Sequence, residues 1–171
     1  YYLDKYVGED ILDQSLSEFS KKRGLLSLET ILSNKTNKKL DWFFTKYLSD
    51  REAFDLFIKN IIKEKDSISI TISEKKLQPV PFKLDIIKND SIIKEKWFYH
   101  SGKDTIIKIK RQDIDFIAIN SNRFLPEKNR PNNWKYLQSS SGLKPLKLTF
   151  YGDSENLKRN QLFYHPISDY N

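Results

Sequence analysis

Along the first 48 residues apolar side chains recur every third and fourth position, and from about Phe54 onward they recur every second one. The first spacing gathers side chains on one face of an α-helix, the second on one face of a β-strand. Leu3 and Val7 open the helical part, and Ile11, Leu12, Leu16 and Phe19 continue it. Gly8 suits a left-handed stop between two helices, with Glu9 and Asp10 placing negative charge in the first turn of the second. Lys21-Lys22-Arg23-Gly24 reads as its end, a basic last turn followed by glycine. Ser27 predicts the cap of a brief helix through Ile31 and Leu32. Asn34 to Lys38 reads as a polar turn, and Leu40 to Leu48 as the next helix.

The period-two part is a series of short strands. Ser67 to Ser73 alternates serine or threonine with isoleucine, as a half-buried strand does. Val80 to Ile87 follows, then a hairpin turn at Lys88-Asn89-Asp90-Ser91, a strand from Ile92 to Tyr99, and a turn at His100-Ser101-Gly102-Lys103. Thr105 to Lys110 and Ile114 to Ile119 complete the series. Strands at this spacing suggest an antiparallel sandwich. Pro79 and Pro81 place the start of their strand at an edge or a bulge, because proline cannot donate to a ladder. After Asn120 the pattern weakens. Pro126, Pro131, Asn132-Asn133 and Ser139 to Gly142 mark a long irregular connection anchored by Trp134 and Tyr136, and the spacing allows one more strand over 146–151.

Between the two periodicities lies Leu40 to Leu48, which packs four large rings and two leucines into nine residues. Burying each ring contributes roughly 1.5–3 kcal/mol, so this segment belongs at a packing seam. Asp41, Trp42, Phe43, Phe44 and Tyr47 are its expected anchor.

Hydrophobic content of 38% with 13% aromatic residues indicates a packed core. The absence of cysteine excludes disulfides, thiolate metal sites and a cysteine nucleophile. No apolar run approaches the ~20 residues a membrane-crossing helix needs, and no signal peptide is visible. Methionine is absent even at position 1, which is expected of a piece of a longer protein. The net charge of +7 is unevenly placed: residues 1–52 balance nine basic against nine acidic, whereas residues 53–171 hold 21 basic and 14 acidic. The charge break coincides with the break in periodicity and predicts a boundary near Ser49 to Ala53.

Residue types that carry chemistry are sparse. The two histidines, His100 and His165, stand 65 positions apart without a second ligand at metal-binding spacing, and read as surface or turn residues. No serine lies in a nucleophile-elbow setting, and five unclustered glycines exclude a phosphate-cradling loop. Asp113 and Asp115 share a strand face but, beside Arg111, read as a solvated strand end. Lys83, Lys88, Lys94, Lys96, Lys108 and Lys110 fall at alternating or turn positions, and several of them are expected on one outward sheet face. Such a basic surface attracts phosphate, on an anionic membrane before nucleic acid; the plainer reading is that exposed lysines keep strand edges from pairing.

Tyr2-Leu3 through Tyr6-Val7-Gly8-Glu9-Asp10, Leu12 to Leu16 with Phe19, Ser27 to Leu32, and Leu40-Asp41-Trp42-Phe43-Phe44 through Tyr47-Leu48 together resemble the last helices of the catalytic domain in aminopeptidase N-like (gluzincin) zinc aminopeptidases. In that family an aromatic helix of this kind is followed by a β-sandwich, and here too strands begin just after Leu48. The link between Phe19 and Leu40 is shorter than the family's. The family's zinc-binding H-E-x-x-H helix, distal glutamate and tyrosine lie upstream of the matching part, so the resemblance assigns no catalytic or metal-binding residue to this sequence. Gln161 to Pro166 and Tyr170-Asn171 resemble the lead-in to an outer-membrane β-barrel found behind some bacterial relatives.

The expected fold is therefore α+β and segregated: a helical remnant over residues 1–50, an antiparallel β-sandwich of about six or seven strands over 54–120, and an irregular extension over 121–171. The resemblance implies a non-catalytic portion of a larger metallopeptidase-like protein, without a cofactor of its own, the zinc lying in an active parent. Its partner is then the upstream peptidase-like domain of the same polypeptide. Envelope proteins or a membrane surface are the alternative, nucleic acid is disfavoured, and a bacterial cell envelope is the favoured location.

Overall fold

A computed structural model describes residues 2–22, 27–50, 53–138, 143–152, 154 and 156–164. Helices α1 (Tyr2–Val7) and α2 (Glu9–Lys21) are separated by Gly8, whose φ of 108° is open to glycine at little steric cost. Lys22 caps α2; Arg23 and Gly24 of the expected stop lie outside the described residues. Helix α3 (Leu28–Thr36) starts where Ser27 accepts a hydrogen bond from the Thr30 amide at 3.1 Å. It outlasts the reading that made Asn34 to Lys38 a turn. Its end is set by Asn37 in the left-handed region, φ 53°, which asparagine tolerates. Glu18 of α2 joins the two helices through Lys35.

The ring-rich segment also departs from expectation. Trp42–Asp50 winds as a π-helix rather than an α-helix. The wider turn accommodates neighbouring bulky rings, with Phe43 stacked on Tyr47 at 5.6 Å.

Among the described residues nine strands follow: β1 (Leu56–Lys63), β2 (Ser67–Glu74), β3 (Pro79–Lys88), β4 (Ser91–Ser101), β5 (Thr105–Lys110), β6 (Phe116–Ile119), β7 (Trp134–Tyr136), β8 (Leu146–Phe150) and β9 (Asn160–Tyr164). They form a three-stranded sheet in the order β1-β2-β5, a four-stranded sheet in the order β4-β3-β6-β7, and a separate parallel pair β8-β9. The first two are antiparallel throughout and make the sandwich of an α+β fold. Asn89 and Asp90, at φ 48° and 61°, close the β3–β4 hairpin as a two-residue turn of this type requires. The sandwich extends past residue 120, because Trp134 to Tyr136 pair with β6 instead of lying in a loop. Trp134 also has something to bury against: with Ile87, Phe116, Ala118 and Leu157 it forms a second, smaller core.

The main core interleaves Ile68, Ile70, Ile72 and Ile107 of one sheet with Val80, Phe82, Leu84, Ile86, Ile117 and Ile119 of the other. It continues without a break into Tyr2, Leu3, Tyr6, Val7 and Trp42 of the helical layer.

Candidate functional site

Trp42 occupies the junction of helices and sandwich and is 1% exposed. Its indole meets Tyr2 and Tyr6 of α1, Phe43 of its own helix and Phe54 just before β1, all edge-on, at 5.5–6.3 Å between centroids. Tyr2 and Tyr6 in turn meet Trp97 of β4 at 5.4 and 5.3 Å. Phe43, Phe44 and Tyr47 are half-buried against the same core. Asp41 is exposed and accepts a hydrogen bond from the Tyr99 hydroxyl at 3.4 Å, tying the start of the ring-rich helix to β4. Of the five expected anchors, Trp42 alone is buried, Phe43, Phe44 and Tyr47 pack beside it, and Asp41 stays exposed. A cleft of about 250 Å³ opens beside them, lined by Tyr2, Leu3, Trp42, Phe43, Tyr47 and Phe124 to Pro126. Tyr2, Tyr6 and Trp97 were not legible as partners, since only the fold brings residues so distant in the chain together.

Beneath α1 lies a polar hub that the sequence pattern did not single out. The Tyr2 hydroxyl donates to the Pro81 carbonyl at 2.9 Å and lies 3.2 Å from Asn120 Oδ1. Asn120 Oδ1 accepts from the Lys83 amide at 2.9 Å, while Asn120 Nδ2 donates to Glu127 at 3.0 Å. Burial pushes the Glu127 carboxyl up to about 7, against hydrogen bonds from Asn120, Asn133 and the Leu56 amide that favour its ionised form. The Glu127 Oε2 is shielded from water and has no partner among the described residues. Asp85 is fully buried, and its pKa is raised by desolvation despite a hydrogen bond from the Ser121 amide at 3.1 Å.

His100 is not a turn or surface residue: it sits in β4, is fully buried, and its Nδ1 lies 3.2 Å from Thr105 Oγ1. The pattern misplaced it because β4 runs two residues further than its apolar alternation. Burial holds its pKa below the usual histidine value. His165 lies outside the described residues. Asp113 and Asp115 flank Lys88 at 2.8 and 3.2 Å and share the Gln138 amide, an ion-paired strand end. No three His, Asp or Glu side chains converge on a metal-sized site among the described residues.

The six lysines do not share one face. Lys83 is mostly buried between Glu95 at 2.6 Å and Asp85 at 3.7 Å, and Lys88 is the ion-paired group just described. Lys94, Lys96, Lys108 and Lys110 line a cleft between β4 and β5, with Lys108 paired to Glu64 at 3.3 Å. Compared with protein-family models, curated proteins and solved structures, the chain matches none.

Proposed function

We propose that this chain is the non-catalytic, C-terminal portion of a larger zinc-metallopeptidase-like protein, in which its helices complete the wall of an upstream catalytic domain and its sandwich braces that wall. The observation that carries this reading is the burial of Trp42 where the helical layer meets the sandwich, in the element order that the resemblance leads one to expect. Leu16 and Phe19 on α2, 44% and 37% exposed, suit a helical layer that continues against further structure. Zinc would sit in the parent, activating water and polarising a peptide carbonyl. The side chains here would supply shape and rigidity, in a protein of the bacterial envelope.

The test begins with the coding sequence upstream of Tyr1, which should encode H-E-x-x-H. In the longer polypeptide, the double change Leu16→Glu and Phe19→Glu should lower the melting temperature and the hydrolysis of aminoacyl p-nitroanilides together. The same change in the chain alone should leave its melting curve in place. Peptidase activity of the chain by itself, or an unaltered longer polypeptide, overturns the reading.

A second reading is favoured by one face of the β8–β9 pair, where Leu146, Leu148, Phe150, Leu162 and Tyr164 are all exposed. On it, the chain is an envelope interaction or anionic-membrane docking module of a catalytically inactive relative. Sedimentation with anionic liposomes supports this reading if binding falls with salt; absence of binding at every salt concentration removes its membrane form.

A further inference from the structure

Strands β4 and β5 are consecutive in the chain but belong to opposite sheets, and among the described residues each is an edge: β4 pairs only with β3, and β5 only with β2. The end of β4 meets the start of β5 where His100 lies against Thr105, and away from that point the two strands part, leaving a cleft of about 370 Å³. Its floor is Leu84, Ile86, Phe98 and Ile107. Register places Lys96 opposite Leu84 and Lys94 opposite Ile86. Directly opposed residues of an antiparallel pair share a face. Both lysines therefore project on the core side of the sheet, at the rim of an apolar trough.

These charges lack balance. Among the described residues Lys94, Lys96 and Lys110 form no ion pair, and Lys96 rests 5.5 Å from the Phe98 ring centre. The neighbouring acid, Glu95, points to the other face and is taken by Lys83. Ile92 and Ile93 on β4 and Ile106 on β5 are exposed beside the same edges.

We propose that this cleft is a docking site for an extended, acidic strand of a partner protein, in which Asp or Glu alternates with apolar residues. Such a strand added to β4 satisfies that edge's backbone N–H and C=O groups. Its acidic side chains then lie beside Lys94 and Lys96, and its apolar ones turn to the face of Ile92. The same lysines repel a second copy of this chain, so the edge selects by charge while remaining protected from self-pairing. This inference does not depend on the peptidase reading.

The test uses a fluorescein-labelled octapeptide that alternates Glu and Val, titrated with the chain by fluorescence anisotropy. Controls are a Lys/Val alternation, a block arrangement of the same Glu and Val residues, and dodecanoate as competitor. Binding should appear only with the Glu/Val alternation and weaken between ~50 and ~300 mM salt. Lys94→Glu with Lys96→Glu should weaken it about tenfold or more, whereas Lys128→Glu, an exposed site elsewhere, should not. Circular dichroism melting checks that both variants fold. Absence of binding, equal binding of the block peptide, an undiminished double variant, or binding of dodecanoate alone each overturns the proposal, the last by assigning the cleft to an amphiphile.

Discussion

Tyr2 and Trp42 meet edge to face, with ring centroids 5.7 Å apart and planes at 89°. With the Tyr6–Trp42 contact it joins the first helix to the π-helix, and Trp42 carries the packing on to Phe54 at the entrance to the sandwich. Edge-to-face geometry sets the positive ring edge against the negative face of its neighbour. The indole Nε1 is buried without an acceptor among the described residues, so the side chain is held by packing.

Trp42→Ala should therefore destabilise the chain by about 3–5 kcal/mol, the range for emptying a large buried aromatic site. Trp42→Phe should cost clearly less, since it keeps a ring and removes an unpaired N–H. Phe44→Ala, at a half-buried position, should cost less again. Urea unfolding with a common slope measures all three. A loss under ~1 kcal/mol for Trp42→Ala would mean that the seam is not a packing centre.

The next prediction concerns the start of β3. Only Leu84 to Ile87 pair with β6, so among the described residues Pro79 to Lys83 lack a strand on that side. Tyr2 and Asn120 take its place, one at the Pro81 carbonyl and the other at the Lys83 amide. Tyr2→Phe should cost about 1 kcal/mol, the net worth of one hydrogen bond. Asn120→Ala should cost more, because it strands the Lys83 amide and puts alanine at φ 48°. Hydrogen exchange at the Lys83 amide should accelerate in the Asn120 variant more than at the other amides of β3.

This pair also shows what the chain pattern could and could not reveal. Period two exposed β2, β3 and β5, because alternate positions of each fill the main core: Ile68, Ile70 and Ile72, then Val80, Phe82, Leu84 and Ile86, then Ile107. Pro79 and Pro81 announced an open flank, since neither can donate. The short strand β7 escaped notice: three residues are too few for a period, and its pairing with β6 bridges 14 residues of irregular chain. The π-helix was legible as a helix by its rings but not in its winding, which depends on what those rings pack against. Of the site, the Trp42 anchor was visible as composition. The Tyr2–Asn120–Glu127 hub was not, because buried polar groups joined across 118 residues leave no local signature.

Gly102 offers a contrast within one residue type. Its φ is 88°, and a Cβ there would stand 2.6 Å from the Leu77 carbonyl oxygen. Gly152 has a φ of 103° with nothing within 4 Å. Gly152→Ala should cost only the backbone strain, about 1–2 kcal/mol. Gly102→Ala must in addition displace the β2–β3 turn, where Glu74 accepts from the Lys76 and Gln78 amides, both at 2.8 Å. Thermal melts should show the larger drop for Gly102→Ala; equal drops would mean the turn yields freely.

The last prediction is a pH dependence centred on Glu127. Its carboxyl is raised from 4.5 to about 7, chiefly by burial. Between those values the folded chain holds a proton that the unfolded chain releases, so this group's contribution to stability falls as pH rises from about 4.5 to 7. A shift of this size corresponds to about 3 kcal/mol. Asp85 acts in the same direction from a lower starting value, again through burial. His100 opposes both: held low by burial, it adds stability as pH rises through its folded value towards 6.5. Asp113, held down by Lys88, and Asp115, held down by the Asn89 amide, lose their contribution only as pH falls through their lowered folded values, below 3.8. Glu127→Gln isolates the one group, since glutamine is neutral throughout. The stability of the variant relative to wild type should therefore rise by roughly 3 kcal/mol between pH 4.5 and 8, read from urea unfolding at closely spaced pH. Parallel curves for the two proteins would mean that Glu127 titrates like a solvated carboxylate, and that the hub beneath α1 does not desolvate it.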